Sequence, residues 1–358
     1  MTPLAERLAD QIREAGPLTV AQFMAACLYD PQHGYYVRAP RIGAEGDFIT
    51  APVISQMFGE LIGLWCVHEW DAMGRPPAFH WIELGPGTGA LIADAWRATR
   101  VEPAFRAAAR LHLVEVSPAL RAQQARALAR LGAQPRWHDV VEQVPQGPSF
   151  IIANEFFDCL PIRQFVRDSK GWRERLVGLD DAGSLAFGLL QHPLREGDMM
   201  IPPALIDAPH GAIAEHAPGM ARLVDVIAAR LRAAPGRALV IDYAGDGSGD
   251  TLQAVRAHQK ESPLAAPGEA DLTARVDFTA LKILARASGL GVAGPATQGD
   301  YLRSLGLDQR AQALAEAHPE RAERIAREHA RLTATDEMGA LFKVLCLSSP
   351  ALPAPAGF

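Results

Sequence analysis

A carboxylate and three closely spaced glycines stand together at the end of the apolar run Phe79–Leu84, in the segment Glu83, Leu84, Gly85, Pro86, Gly87, Thr88 and Gly89. Glycines at such a turn let the backbone approach a bound ligand, because no Cβ intervenes. A dinucleotide site requires G-x-G-x-x-G, and a phosphate-binding loop requires a Gly-Lys pair that this segment lacks. The pattern E-x-G-x-G-x-G instead favours an S-adenosylmethionine (SAM) site. Spare glycines at a purely structural turn are the alternative.

A second carboxylate follows the next apolar run, in the sequence Glu115, Val116 and Ser117. We expect these three residues to contact the adenosine part of SAM, with the Glu115 carboxylate accepting hydrogen bonds from two ribose hydroxyls. Asp139, which follows the run after that, is placed to read the adenine amino group. Taken alone, Glu115 could be a solvated glutamate at a strand end. Because it follows the glycine segment 83–89 in register, the two motifs together favour the adenosine site.

Polar and aromatic residues follow the apolar run Phe150–Ala153, in the order Asn154, Glu155, Phe156, Phe157 and Asp158. Side chains at this position would face the methyl group of SAM, and Asn154 is therefore assigned to cofactor binding. Two carboxylates beside an apolar strand could orient a substrate nitrogen or receive its proton, which makes Glu155 and Asp158 the catalytic candidates. Core packing is the alternative for the two phenylalanines.

The segment 43–60 precedes these runs and is expected to form a lid or rim over SAM. Phe48 could cover the adenosine, and Thr50 could bond the amino acid end of the cofactor. Asp47 is the third catalytic candidate, placed behind Glu155 and Asp158 together with Asp242. A tight entry loop, whose glycines serve its geometry alone, is the alternative.

The elements that must position these residues alternate between short apolar runs and Ala/Arg-rich helical stretches. Strands alternating with helices indicate βαβ units and a parallel sheet, whose ligands bind beyond the carboxyl ends of the strands. We expect the tail Pro350–Phe358 to be loose. The predicted core, which binds SAM, consists of 79–158 and 236–260, with a final core strand at 341–349. The other predicted domains are the N-terminal helices with the lid at 1–78, an inserted hairpin and helix at 159–235 and a second helical insertion at 261–340.

Length and composition exclude several classes of protein. The chain has 358 residues, 49% apolar and 21% charged, with a formal net charge of −6, which disfavours disorder and a nucleic-acid binder. No apolar run approaches the ~18 residues of a membrane span. The four scattered cysteines and 11 histidines show no metal-ligand spacing, so no metal is expected. Acidic residues in the first predicted helix disfavour a targeting sequence, and a cytoplasmic location is the default expectation.

These segments resemble the MidA-type SAM-dependent methyltransferases over nearly the whole chain. The matching residues are Tyr29–Pro31, Gly34–Tyr36, Gly46–Pro52, Ser55–Glu60, Glu83–Gly89, Leu113–Ser117, Asn154–Asp158, Ile241–Tyr243, Ala266–Gly268, Ala270–Thr273, Val276–Phe278 and Met338–Gly339. The resemblance implies an α/β fold with a Rossmann-like class I core, in which a mostly parallel seven-stranded sheet has its last strand antiparallel. It also implies protein arginine methylation, with a respiratory complex I subunit as the target in mitochondrial relatives. Ala244, where the family has glycine, and the stretch 252–260 depart from the family pattern and bear on substrate choice.

An arginine acceptor fits the carboxylates at Glu155 and Asp158. The arginine side chain is cationic, so it pairs with planar carboxylates through parallel hydrogen bonds and loses a proton during methylation. The expected function is therefore a SAM-dependent methyltransferase that acts on an arginine-bearing polypeptide, with a homodimer left open as its oligomeric state. The alternatives are a SAM-binding assembly factor without catalysis and a methyltransferase for a small-molecule or other non-arginine acceptor.

Overall fold

A central sheet flanked by helices contains the segments that the sequence analysis singled out. The structure is a computed structural model, and it describes residues 2–37, 50–195 and 201–358. The strands are β1 Leu18–Thr19, β2 Phe79–Leu84, β3 Ala109–Val114, β4 Arg136–His138, β5 Ser149–Asn154, β6 Arg163–Asp168, β7 Gly171–Leu179, β8 Leu185–Leu189, β9 Ile213–His216, β10 Gly236–Gly245, β11 Gln253–Arg256, β12 Gln259–Glu261, β13 Asp271–Thr273, β14 Val276–Asp277, β15 Gly291–Thr297 and β16 Phe342–Ser348.

Helices precede, connect and follow these strands. They are α1 Pro3–Ala15, α2 Val20–Tyr29, α3 Ala51–Ile54, α4 Gln56–Ala72, α5 Ala90–Ala98, α6 Pro103–Ala108, α7 Pro118–Ala129, α8 Pro218–Ala233, α9 Phe278–Ala287, α10 Gln298–Ser304, α11 Leu307–Ala317, α12 Ala322–Thr333 and α13 Met338–Leu341. Several begin with a side-chain cap that satisfies free backbone N–H groups. At α7, for example, the Ser117 hydroxyl accepts from the N–H of Leu120.

The central sheet has the strand order β15-β16-β10-β5-β2-β3-β4, with β14 pairing alongside β10 off this path. Strands β4, β3, β2, β5 and β10 run parallel, whereas β16 is antiparallel to both β10 and β15. The predicted Rossmann-like core, mostly parallel with an antiparallel last strand, is therefore confirmed. In this topology the loops after β2, β3, β5 and β10 all leave the same edge of the sheet.

Both faces of the sheet are covered, because its central strands are apolar on both sides. On β2, Trp81 packs in one core layer with residues of α4 and α5, including Trp65 and Leu91. The next residue, Ile82, points into the opposite layer, where α8 and α9 contribute Val224 and Leu281. This two-sided burial is what a doubly wound parallel sheet requires.

A second sheet, in the order β1-β7-β6-β9 with β8 beside β7, packs against the N-terminal helices. The predicted hairpin is present as β6 and β7, where Phe165 pairs with Glu174. Pairing of Leu18 with Val177 attaches the N-terminal segment to this sheet. Leu4 and Leu8 of α1 are buried in the same cluster as Val177, so the first helix is an integral part of the fold.

Some elements differ from those expected. Within 261–340, predicted as a helical insertion, β15 joins the central sheet beside β16. Helix α8, placed by the sequence analysis in the insertion 159–235, covers the central sheet. Near the end of the predicted helical insertion 261–340, a charged stretch forms two helices, α11 and α12, with Pro319 between them, because proline cannot donate a helical hydrogen bond. The division into domains stays a prediction.

The C-terminal tail is packed rather than loose. The Trp65 indole N–H donates to the carbonyl of Ala356 at 3.1 Å, and the Phe358 ring lies 5.0 Å from that of Tyr301. Arg237, fully buried, donates to the carbonyl of Pro353 at 2.8 Å. The tail was predicted to be loose because it is rich in proline and alanine. In the structure, backbone carbonyls of the tail accept hydrogen bonds from buried donors of the core.

Among the described residues, no helix has the length and apolar character needed to cross a membrane. The same residues contain no group of three or more His, Cys, Asp or Glu side chains arranged to hold a metal ion. Four buried cysteines, Cys27, Cys66, Cys159 and Cys346, are free thiols.

Candidate functional site

The carboxyl ends of β2, β3 and β5 border a cavity of about 290 Å³. Leu84 pairs with Val114 on one side and with Ala153 on the other, so the loops that follow these strands lie next to one another. Most residues predicted for the site line this cavity, namely Thr50, Glu83, Gly85, Pro86, Gly87, Thr88, Glu115, Val116, Asp139, Asn154 and Glu155.

Three further predicted residues are the chain neighbours of lining residues. Gly89 follows Thr88 and precedes α5, Ser117 follows Val116 and caps α7, and Asp158 precedes Cys159. Two other candidates, Asp47 and Phe48, lie outside the described residues, and their assignments stay predictions.

The glycine loop has a backbone shape that side chains rarely adopt. Gly85, Gly87 and Gly89 have φ values of 60°, 52° and 80°. A Cβ added at Gly85 would lie 2.8 Å from Cδ2 of Phe156, so a larger residue would also collide with the loop after β5. The glycines therefore allow a tight turn and a close approach of two loops.

Two buried acceptor atoms at the cavity have no hydrogen-bond partner among the residues that the structure describes, Oε2 of Glu83 and Oδ1 of Asn154. Both residues line the cavity. Burial raises the pKa of Glu83 to about 8, against the opposing effect of the Ile92 N–H. Unpaired buried acceptors are costly unless a ligand supplies donors. The ammonium group of SAM is such a donor, so the residues present fit this cofactor.

The carboxylate of Glu115 is held at both oxygens. Its Oε1 accepts from the N–H of Ser117 at 2.8 Å, and its Oε2 accepts from Nε2 of Gln124 at 3.2 Å. Burial raises the pKa of Glu115, while these donors act in the opposite direction. Each carboxylate oxygen has a second lone pair, so the fixed group can still accept from two ribose hydroxyls.

Asp139 is placed at the cavity by an arginine of α7. Arg121 donates from Nη2 to Oδ1 of Asp139 at 2.6 Å and from Nε to the carbonyl oxygen of Glu115 at 2.6 Å. The same guanidinium thus sets the distance between the two loops predicted to hold adenosine.

Glu155 enters the cavity from a strained backbone position, with φ of 51°. Its N–H donates to the carbonyl of Ile241 at 2.9 Å, and Nδ2 of Asn154 donates to its Oε1 at 3.1 Å. Burial, and next the charge of Asp242, raise the pKa of Glu155 to about 8. Such a conformation in a non-glycine residue is typical of functional sites.

Asp242, which the sequence analysis placed behind the carboxylate pair, holds the loop 155–158 in place. Its Oδ2 accepts from the N–H groups of Phe156 at 3.2 Å, Phe157 at 2.9 Å and Asp158 at 3.2 Å. Its Oδ1 accepts from the N–H of Tyr243 at 2.8 Å. With four backbone donors on its two oxygens, Asp242 is a positioning residue.

Asp158 belongs to a buried group of acids. Burial raises its pKa well above the ordinary range, and the charges of Asp242, Asp271 and Glu155 add to this effect. The structure therefore brings the two predicted catalytic carboxyls into one electrostatic environment, with only Glu155 among the lining residues.

Sequence reasoning missed two tyrosines of the cavity wall. Tyr29 and Tyr36 line the cavity with their ring centroids 5.8 Å apart. The Tyr36 hydroxyl donates to Oδ1 of Asp271 at 2.8 Å, and that of Tyr29 donates to the carbonyl of Cys159 at 3.1 Å. The available signal was the aromatic loop that contains both residues, which showed no chemistry by itself.

The chain is similar to a family of enzymes and to individual proteins of known sequence or structure. A family model described as S-adenosyl-L-methionine-dependent methyltransferase matches residues 61–296. Protein arginine methyltransferase NDUFAF7, mitochondrial, of Danio rerio is 38% identical over 335 residues, 87% of this chain and 78% of that protein. The Drosophila melanogaster homologue is 36% identical over 96% of this chain and 84% of its own length.

A solved structure is similar over almost the whole fold. A Burkholderia thailandensis protein bound to S-adenosyl-homocysteine is 28% identical, with a TM-score of 0.88 over 99% of this chain and 93% of that one.

The prediction of a cytoplasmic location is wrong, because the relatives are named as mitochondrial proteins. That prediction used the acidic residues of α1 as an argument against targeting. Helix α1 buries Leu4 and Leu8 in the fold and exposes its acidic residues, so these acids belong to the solvent face of a packed helix and carry no information on location.

The family model covers more than half of the chain, and the relatives match it across most of their length. The glycine loop, the fixed Glu115 and the unpaired acceptors of the cavity all suit a SAM molecule. The chain belongs to the S-adenosyl-L-methionine-dependent methyltransferase family and is an enzyme that takes its methyl group from SAM.

Proposed function

We propose that this enzyme methylates an arginine side chain of a polypeptide. The observation that carries the proposal is the carboxyl of Glu155, which lines the same cavity as the SAM-binding loop and has its pKa raised to about 8 by burial. The names of the relatives, protein arginine methyltransferases, support the same acceptor.

Binding of a cationic acceptor follows from the buried acids around Glu155. Burial and mutual repulsion raise the pKa of Glu155 and of Asp158, so an empty cavity favours their protonated forms. A guanidinium cation offsets both effects and favours the ionised carboxylates. A hydroxyl or a carbon acceptor brings no positive charge and would leave these carboxyls protonated, so the buried acids favour a cationic acceptor.

The same carboxyl serves the chemistry. SAM, when bound, would supply an electrophilic methyl group, whose bond to the sulfonium sulfur breaks in the transfer and leaves S-adenosyl-homocysteine as a neutral thioether. As the new N–C bond forms on the acceptor, one N–H bond of the guanidinium breaks, and Glu155 receives that proton. The carboxylate of Glu155 can act as this base because the bound guanidinium keeps it ionised until the proton moves. The methylated guanidinium remains a cation, and the proton passes from Glu155 to solvent.

Most of the acceleration of an in-line displacement of this kind can come from alignment and desolvation. Asp242 fixes the loop that carries Glu155. The Tyr36 hydroxyl donates to Asp271, whose charge acts on Glu155. Tyr29 and Tyr36 also give the cavity two aromatic walls, against which a guanidinium packs favourably.

Transfer of tritiated methyl from SAM to arginine peptides, and to the same peptides with lysine in place of arginine, tests the proposal. We expect label in the arginine peptides only. Glu155→Gln should lower turnover about 100-fold or more, with the dissociation constant for S-adenosyl-homocysteine within about threefold of wild type. Label on lysine, or full turnover in Glu155→Gln, would contradict the proposal.

Glu323→Gln is the matched control, since this side chain is 95% exposed on α12. Its turnover should equal that of the wild type. Adding respiratory complex I subunits as acceptors in the same assay tests whether the target implied by the family resemblance is also a substrate here.

A further inference from the structure

We propose that Gln124 is the positioning residue that fixes the carboxylate of Glu115 for the ribose hydroxyls of SAM. Gln124 lies in α7, one layer behind the cavity, and is fully buried. The proposal rests on the assignment of Glu115 to the ribose, and it does not depend on which molecule accepts the methyl group.

The carboxamide of Gln124 joins three separate parts of the site. Its Nε2 donates to the carbonyl oxygen of Gly87 at 2.8 Å and to Oε2 of Glu115 at 3.2 Å. Its Oε1 accepts from Nε1 of Trp137 at 2.8 Å. The glycine loop after β2, the carboxylate after β3 and the strand β4 are thus connected through one side chain.

The orientation of this amide follows from its partners. An indole nitrogen can only donate and a backbone carbonyl can only accept, so the amide oxygen must face Trp137 and the NH2 group must face Gly87. The second amide hydrogen is then left for the carboxylate of Glu115. No flipped arrangement satisfies all three partners, which makes the network specific for a glutamine.

A fixed carboxylate is what recognition of two hydroxyls requires. Glu115 is held at Oε2 by Gln124 and at Oε1 by the N–H of Ser117 at 2.8 Å. Rotation about its last side-chain bond would break one of these contacts, so the remaining lone pairs keep one direction. Preorganised acceptors discriminate between ligands better than mobile ones.

Gly89 allows α7 to approach closely enough for this network. A Cβ added at Gly89 would lie 3.2 Å from Cγ and 3.3 Å from Cα of Gln124. The glycine at this position, which the sequence analysis assigned to the cofactor itself, also makes room for Gln124.

Binding of S-adenosyl-homocysteine and of its 2′-deoxy analogue, measured by isothermal titration calorimetry, tests the proposal. The wild type should bind the analogue about tenfold more weakly, the value of one hydrogen bond to a charged group. In Gln124→Met this ratio should fall below about threefold, and Glu115→Ala combined with Gln124→Met should lower it no further than Glu115→Ala alone. Gln123→Met is the control, because Gln123 is exposed on the same helix.

A purely structural role would weaken both ligands equally and leave their ratio unchanged, which would overturn the proposal. Trp137→Phe removes the indole donor that orients the amide and keeps an aromatic ring at this position. It should lower the ratio in the same direction, and it tests the proposal if Gln124→Met does not fold. A wild-type ratio near one would reject the assignment of Glu115, whereas failure of methyl transfer to arginine peptides would leave these binding results intact.

Discussion

Oδ2 of Asp242 lies 2.9 Å from the backbone nitrogen of Phe157 and also accepts from the two neighbouring N–H groups. One carboxylate on β10 therefore sets the shape of the loop after β5, which carries the predicted catalytic residues. Burial raises the pKa of Asp242 to about 7 in spite of four backbone donors.

Removal of that carboxylate should disorder the loop. We expect Asp242→Ala to lower the free energy of unfolding by about 3 kcal/mol or more, because several buried N–H groups lose their acceptor, and to abolish methyl transfer. Urea denaturation and the tritium assay measure the two effects. Asp246→Ala, at an exposed aspartate just after β10, should change neither. Wild-type stability in Asp242→Ala would show that the loop is held by other contacts.

The pH dependence of stability should report on Glu155. Burial raises its pKa from 4.5 to about 8, so between these pH values the folded protein binds a proton that the unfolded chain releases. The contribution of Glu155 to the free energy of unfolding is therefore fully present below about pH 4.5 and is lost as the pH rises through 8. A glutamine amide does not titrate. The melting temperature of Glu155→Gln, relative to that of the wild type, should therefore increase as the pH rises from about 5 to about 9.

Thermal melting at pH intervals across this window measures the difference. Glu323→Gln gives the change caused by a glutamate-to-glutamine substitution on the surface. A difference between Glu155→Gln and wild type that does not vary with pH would show that Glu155 titrates in the folded protein as it does in the unfolded chain.

The glycine loop should be intolerant of a single methyl group at Gly85. Gly85→Ala places a Cβ on a left-handed backbone, which costs about 1–2 kcal/mol. The added Cβ would also lie 2.8 Å from Cδ2 of Phe156. We expect lower stability and loss of S-adenosyl-homocysteine binding in calorimetry. Gly74→Ala is the matched control, since Gly74 also has positive φ but nothing within 4 Å of its Cβ position. Equal effects of the two substitutions would exclude the contact as the cause.

A buried ion pair attaches the C-terminal tail to the core. Nε of Arg237 lies 2.5 Å from Oε2 of Glu69, with both side chains at most 1% exposed, and Oε1 of Glu69 accepts from the N–H of Ala356 at 2.8 Å. Glu69→Gln leaves the charge of Arg237 uncompensated and should cost about 3–5 kcal/mol. Urea denaturation beside Glu323→Gln checks this value. A loss below about 1 kcal/mol would contradict it.

Sequence reasoning succeeded where a local pattern and the sheet topology determine the outcome. Strand β2 has the bounds that its apolar run predicts. The position of Glu83, Glu115 and Glu155 at one cavity was expected from their places at strand ends, because parallel strands in register bring their carboxyl ends to one edge. Their roles stay predictions. Strand β15 escaped prediction because its sequence, GVAGPAT, contains no apolar run and lies at the edge of the sheet.

The roles of other residues depend on contacts far apart in the chain. The three backbone donors to Asp242 lie 84 to 86 residues away, and Gln124 is separated from Gly87 by 37 residues. The sequence placed Asp242 behind the catalytic pair as a further carboxylate, without its role as acceptor for the loop 155–158, and no local pattern marks Gln124. Gln124 in particular stands beside an ordinary exposed glutamine in a helix of weak apolar periodicity, and only the folded structure distinguishes the two.

The left-handed backbone at Glu155 affects which residues selection for thermal stability would favour at this position. Glycine or asparagine adopts this conformation more readily than glutamate and brings no further negative charge to a crowded group of acids. Selection for thermal resistance alone should therefore favour replacements at position 155 that inactivate the enzyme. A library selected for melting temperature would enrich such variants, and glutamate would persist there only under selection for methyl transfer.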